Sequence, residues 1–334
     1  MKALMQIGYG SLNKNLQIQK VEIPQISANE VLVKVCSASI NPHDYKVVLG
    51  EFKKMKKMNF PTSVGSDFSG TIVEIGKNIN HFVIGDEIFG TSHGTIAEFC
   101  KADVSLISLK PRNISFNNIS VLPVVGMTTI QSFNRIGGIN KGDKILIHAG
   151  SGGVGTFAIQ YAKLKGAFVY TTTSKGNSEW VGKLGADIII DYKKENYLEI
   201  CNDLDIVFDT LGNQYTFDAF KIIKQGGKVI SLLPAEINKQ VVKEFKIPKL
   251  IAFFLSLKSS KIKKLIKDKN ATYEFVFMRP NQLSLLEISN LIENNKIKPI
   301  IEKVFEFNKS IDAFEHLEKG HTKGKLVIKI QDTI

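Results

Sequence analysis

The chain has 334 residues, 43% apolar and 23% charged, which is enough to bury a large core and excludes a disordered or fibrous protein. Lysine and arginine outnumber the acids 44 to 32, for a formal charge of +12, yet only Arg112, Arg135 and Arg279 are arginines, so the excess argues against a dedicated nucleic-acid surface. Three distant cysteines, Cys36, Cys100 and Cys201, leave no disulfide framework and no paired-cysteine zinc motif.

From the N-terminus, the chain breaks at Gly8 without the long apolar stretch of a signal peptide, and a cytoplasmic location is expected. Strand-like runs at 31–35, 68–75, 87–89 and 95–99, separated by glycines, make the first third β-rich. The rhythm changes at Lys144. Strands are expected at 144–148, 167–172, 188–190, 205–208 and 228–232, with helices at 153–165, 178–184, 195–201 and 214–224 between them. Such alternation predicts parallel pairing through right-handed crossovers, hence an α/β fold with a doubly wound sheet, and divides the chain near residue 122. Residues 239–269 hold ten lysines against Glu244 and Asp268. The apolar window 250–257 inside that stretch is far shorter than the roughly 20 residues a membrane span needs. Strands at 303–307 and 325–330 flank a short helix at 310–318, and these are expected to rejoin the first domain.

Directly after the strand at 144–148 comes Ala149-Gly150-Ser151-Gly152-Gly153-Val154-Gly155, opening a helix. Gly150-x-Gly152-x-x-Gly155 satisfies the dinucleotide fingerprint in its mechanical context: small residues let backbone N–H groups approach a pyrophosphate at the positive end of a helix. A carboxylate at the end of the next strand would bind an adenosine ribose 2′-hydroxyl. The sequence there is Thr171-Thr172-Thr173-Ser174-Lys175, and hydroxyls with a cation suit a 2′-phosphate, so NADPH is expected over NADH.

Further stretches complete a pattern: Ser39-Ile40-Asn41-Pro42-His43-Asp44-Tyr45-Lys46, Gly65-Ser66-Asp67-Phe68-Ser69-Gly70, Gly126-Met127-Thr128-Thr129, Leu184-Gly185-Ala186-Asp187, Phe208-Asp209-Thr210-Leu211-Gly212 and Gly324-Lys325-Leu326-Val327. Together they resemble the zinc-independent quinone oxidoreductase and enone reductase branch of the medium-chain dehydrogenase/reductases. The resemblance implies a GroES-like β-rich catalytic domain, 1–122 completed by 298–334, and a Rossmann NADPH-binding domain, 123–297, with a basic helical insertion at 239–270. An active-site cleft is implied where the domains meet, and dimers are common in the family, so a homodimer is expected. It places Asn41 beside the nicotinamide ribose and Thr128 near the nicotinamide. Gly152, Gly153 and Val154, with Ala149, Ser151 and Leu211, would surround the cofactor. Ser174, Lys175 and Tyr192 would take the 2′-phosphate, and Lys325 would reach back toward the cofactor from the C-terminal segment.

Zinc alcohol dehydrogenases of the same superfamily carry a cysteine at the place of Asn41 and a His-Glu pair at that of Ser66-Asp67. Neither is here, so no metal is expected. Without a Lewis acid to stabilise an alkoxide, the substrate must delocalise charge after hydride arrives, as a quinone or α,β-unsaturated carbonyl does. Tyr45 and Lys46 are candidate catalytic residues, Lys46 equally readable as a surface lysine. Asp44 is read as orienting backbone and the Asn41 amide, Asp67 as a helix or turn cap, and His148 as a satisfied core residue. Phe253, Phe254, Tyr273 and Phe275 are candidate pocket lining, with ordinary core packing the competing reading. A second functional class stays open: a non-catalytic NADPH-binding protein using a basic face on nucleic acid or membrane.

Overall fold

The computed structural model describes residues 1–53, 57–235, 242 and 259–331. They separate into two units, Met1–Met127 with Arg279–Ile334, and Thr128–Met278. In chain order the strands are β1 (Lys2–Gln6), β2 (Leu16–Lys20), β3 (Glu30–Ile40), β4 (Thr62–Ser63), β5 (Asp67–Ile75), β6 (Glu87–Thr91), β7 (Phe99–Asp103) and β8 (Ile107–Leu109). The second unit then supplies β9 (Lys144–Ile147), β10 (Phe168–Thr173), β11 (Ile188–Asp191), β12 (Leu204–Asp209), β13 (Ile223–Ser231) and β14 (Thr272–Phe275), and the chain returns to the first with β15 (Ile301–Glu306) and β16 (Lys325–Lys329).

In the first unit a sheet runs β15-β16-β3-β5-β6-β8, with β7 also on β3, beside a small sheet β2-β1-β4. The expected return of the C-terminus is seen in β16, which pairs antiparallel with the end of β3, Leu326 opposite Ile40. Val31, Val33, Phe68, Ile72, Ile88, Leu326 and Ile328 fill this unit's core, each burial stabilising by about 1.5–3 kcal/mol. The strand expected at 95–99 is displaced to Phe99–Asp103; residue 97 makes only an isolated bridge to Ala3. Apolar pairs Ile96-Ala97 and Phe99-Cys100 stand on either side of Glu98, so period two does not mark where the strand starts.

The second unit is a parallel sheet in the order β11-β10-β9-β12-β13-β14, spreading both ways from β9 as a dinucleotide-binding fold does. Ile145, Leu146 and Ile147 are fully buried, as befits a central strand covered on both faces. Helix Gln282–Glu293, expected with the nucleotide domain, falls in the first unit. The Asn113 amide donates to the Ile292 carbonyl at 3.0 Å, and the Ser289 hydroxyl donates to the Leu109 carbonyl at 3.3 Å.

Tyr273 and Phe275 belong to the core of the second unit. Strand β14 pairs in register with β13, Val229 against Tyr273 and Ser231 against Phe275, and both rings belong to the same apolar cluster as Val207, Phe220 and Ile262. Phe253 and Phe254 lie outside the described residues, as does most of the basic insertion. Its described end is the helix Ser260–Asp268, anchored by buried Ile262.

Candidate functional site

In the second unit the glycine loop is tied to the end of β10. The Gly150 N–H donates to the Thr172 carbonyl at 2.9 Å, and the Ala149 N–H to the Thr172 hydroxyl at 3.1 Å. Ala149 itself takes a left-handed backbone, φ 53°. A Cβ on Gly155 would lie 2.3 Å from the Ala149 carbonyl oxygen, whereas one on Gly152 would meet only that oxygen, at 3.4 Å. Gly155 is therefore required by packing, and Gly152 keeps open the space over the loop. Helix Gly153–Leu164 begins at Gly152 without a side-chain cap. Its first-turn N–H groups have no partner within the helix, and they form a cradle that fits a pyrophosphate.

At the carboxyl ends of β10 and β11, Thr173 pairs with Asp191, and the Tyr192 N–H donates to the Thr173 carbonyl at 3.3 Å. This gathers Ser174, Lys175 and Tyr192 at one edge of the sheet. Lys175 is exposed, and among the described residues no carboxylate pairs with it. Asp191 accepts from the Lys193 N–H within its own turn. Asp209, not singled out from sequence beyond its motif, is a fully buried organiser. One carboxylate oxygen accepts from the N–H groups of Leu211 (2.9 Å) and Gly212 (2.8 Å), the other from the hydroxyls of Thr216 and Ser231. The signal for it was available: an Asp at a strand end before Thr-x-Gly forms an Asx-type turn. Leu211 is thereby held half-exposed at the same edge. Thr128 is buried in helix Pro123–Arg135.

The first unit holds a buried polar cluster where β3, β5 and β16 meet. Asn41 closes β3 and starts helix Pro42–Leu49, with Pro42 in the first turn, where a missing N–H costs nothing. Asp44 accepts from the Asn41 N–H at 2.8 Å and from the Ser66 hydroxyl at 2.8 Å. Burial raises the Asp44 carboxyl above its ordinary range, and Asp67 adds to this, while the two hydrogen bonds and His43 oppose it. The Asn41 side-chain amide is held instead by Asp67, to which it donates at 2.8 Å. Asp67, fully buried, also accepts from Ser39 (3.0 Å), from the Val124 N–H at the start of helix Pro123–Arg135 (2.9 Å) and from Lys325 (3.3 Å). The Val124 contact caps that helix start, and the contacts to Ser39, Asn41 and Lys325 go beyond a cap.

Lys325, expected to reach a cofactor, is 5% exposed. Its ammonium donates to the Ile40 carbonyl at 3.0 Å, the Asn41 Oδ1 and Asp67. Burial lowers its pKa, against the pull of Asp67 and Asp44. Lys46 is part-exposed and faces Glu51 at 3.8 Å, in an interaction of little energy. Tyr45 packs on the unit's core, and burial, with Glu51 and Glu318, raises its phenol pKa.

Residues 27–112 match the family model described as alcohol dehydrogenase GroES-like domain, and residues 184–328 the one described as zinc-binding dehydrogenase. The chain is 32% identical to the 2-methylene-furan-3-one reductase of Solanum lycopersicum, over 98% of this chain and 79% of that one. The chain belongs to the medium-chain dehydrogenase/reductase family, in its quinone oxidoreductase branch. A second relative of this family member, the NADPH-dependent alkenal/one oxidoreductase, chloroplastic, of Arabidopsis thaliana, is also 32% identical, over 98% of this chain and 79% of its own. The quinone oxidoreductase of Coxiella burnetii has a solved structure with a TM-score of 0.85 and 32% identity, covering 99% of both chains.

The zinc named in one of those descriptions meets an unsuitable donor set in this dehydrogenase/reductase. Asn41, Ser66 and Asp67 offer an amide, a hydroxyl and a carboxylate, and the Lys325 ammonium already sits on two of them. Among the described residues no group of three or more His, Cys, Asp or Glu side chains is placed to hold a metal ion. No helix among them is long and apolar enough to cross a membrane.

Proposed function

We propose that this protein is an NADPH-dependent reductase of quinones or α,β-unsaturated carbonyls that works without a metal. The observation that carries the reading is the uncapped helix start behind an open Gly152, followed at the end of β10 by Ser174 and Lys175 in place of an acid. The names of the relatives support the substrate class. When bound, the nicotinamide cofactor supplies a hydride. The N–H groups of Gly153 and Val154 would hold its pyrophosphate, and Ser174, Lys175 and Tyr192 would hold the 2′-phosphate. Asn41 would orient the nicotinamide ribose, and Thr128 would face the ring. Because the first unit offers an amide, an ammonium and buried carboxylates in place of metal ligands, the acceptor must spread its own charge as an enolate or hydroquinone anion, either far less basic than an alkoxide.

Two measurements test this. Turnover of NADPH with a panel of quinones and 2-alkenones is expected, unchanged by a chelator; loss on chelation with recovery on zinc addition would overturn the metal-free reading. If the whole panel stays inert while NADPH binds, the protein is a non-catalytic NADPH binder. For cofactor choice, Lys175→Glu is expected to raise the Michaelis constant for NADPH about 10- to 100-fold, the worth of a charge-assisted contact, and to leave that for NADH near its original value. Equal effects on both cofactors would remove the 2′-phosphate role.

A further inference from the structure

A lysine ammonium has three N–H donors. Lys325 has three acceptors, the Ile40 carbonyl, Asn41 Oδ1 and Asp67 Oδ2, so no donor is left over for a ligand. Asn41 lies between opposite charges: its Oδ1 accepts from the ammonium, and its Nδ2 donates to the Asp67 carboxylate. Turned by 180°, the same amide would set its NH2 against the ammonium and its oxygen against the carboxylate, repulsive on both sides. In a site from which water is excluded, such terms are weakly screened.

We propose that Lys325 and Asp67 are positioning residues that lock the Asn41 amide in one orientation: its Oδ1 takes the ammonium and, in the capping box, the Asp44 N–H, which leaves the second Nδ2 hydrogen in a fixed place for the ligand. The arrangement comes from three separate pieces of chain. Asn41 follows β3, Asp67 begins β5, and Lys325 begins β16, which lies antiparallel beside β3. Asp67 is itself over-determined, because Ser39 and the Val124 N–H hold it in addition to Asn41 and Lys325. A C-terminal segment therefore acts on an N-terminal side chain without touching the ligand. The functional part of the proposal rests on the reading that Asn41 meets bound NADPH; the lock itself does not.

The test uses the full-length protein and two readouts. By fluorescence titration, Lys325→Met is expected to weaken NADPH binding about tenfold, as loss of one well-aligned hydrogen bond does. In an Asn41→Ala background the same change is expected to add less than about twofold, because the group it positions has gone. Additive losses would overturn the proposal and leave Lys325 a merely structural cation, as would unchanged binding in the single variant. Should Lys325→Met fail to fold, Asp67→Asn, of the same size and still able to accept from Lys325, is put through the same cycle with the same expectations.

The second readout is the side-chain amide of Asn41 in nitrogen-15 spectra without cofactor, assigned by its loss in Asn41→Ala. Two protected, well-separated Nδ2 proton signals are expected in the wild type, and loss of that protection in the Lys325 or Asp67 variant. An amide equally mobile in all of them would overturn the lock. If the wild-type protein does not bind NADPH at all, the functional reading fails, and the amide signals still decide the lock.

Discussion

His148 stands between the end of β9 and the glycine loop, fully buried, with Nδ1 3.3 Å from the Thr172 hydroxyl and the rings of Tyr197 and Tyr215 packed steeply across it, centroids 4.9 and 5.1 Å away. Burial lowers its pKa to about 4, against the opposing pull of Asp209 and Asp218. Between pH 6.5 and 4 the unfolded chain therefore binds a proton that the folded one refuses. Stability is present in full above about 6.5 and is lost as the pH falls through that window, by up to about 3 kcal/mol. Chemical denaturation across pH 4–7 is expected to show a steep acid limb that His148→Phe flattens; the same limb in the variant would assign it to other groups. Placing a histidine in a strand of apolar neighbours made its burial legible from sequence. What surrounds it was not, because Tyr197 and Tyr215 arrive from helices about 50 and 67 residues further on, and no local pattern records that meeting. The expected satisfaction is also only half met: Nε2 is buried without a hydrogen-bond partner.

Among elements, the strand, loop and helix of the glycine motif show how much a local pattern can fix. Buried Ile145 to Ile147, three small residues at set spacing and an amphipathic helix after them all point to one geometry, and that geometry is present. The glycines nonetheless have different tasks. Alanine at 155 would press on backbone, 2.3 Å from the Ala149 oxygen and 2.8 Å from the Gly150 Cα, and neither can swing away. Gly155→Ala is expected to cost about 1–3 kcal/mol of stability, the usual penalty of overpacking, together with NADPH affinity. Gly152→Ala meets nothing closer than 3.4 Å and has an ordinary φ of −82°, so thermal unfolding without cofactor should hardly move while NADPH binding weakens. If both variants lose stability equally, the space over Gly152 is not kept for a ligand. The buried cluster of the first unit was legible only in fragments. Asp44 and Asn41 share a capping pattern visible in sequence, whereas the pairing of Asp67 with Lys325 spans 258 residues and exists only because β16 lies beside β3.

At the scale of the whole chain, the charge separates from the fold. Ten lysines less two acids give +8 within 239–269, so the remainder of the +12 is +4 spread over the other residues. The described end of that stretch, helix Ser260–Asp268, turns Ile262 inward and packs Leu265 and Ile266 on the core of the second unit, while Lys263, Lys264 and Lys267 stay exposed. Lys261 is also outside, its ammonium 4.7 Å above the Phe217 ring. The helix leads into the amino end of β14, and the Lys269 ammonium donates to the carbonyl of Ile223, where β13 begins. In a parallel sheet this is the edge opposite the carboxyl ends of β9 and β10, where the glycine loop and Lys175 lie. Cofactor binding should therefore be indifferent to these lysines, screened as they are by water and salt. Replacing Lys263, Lys264 and Lys267 with glutamine takes the formal charge from +12 to +9. The triple variant is expected to leave a cation exchanger at lower salt, to stay within about 0.5 kcal/mol of wild-type stability, and to keep its NADPH dissociation constant. A several-fold loss of NADPH affinity, steepest at low ionic strength, would mean that the lysine-rich helix supplies part of the field drawing the cofactor in, and that Lys175 does not select the 2′-phosphate alone.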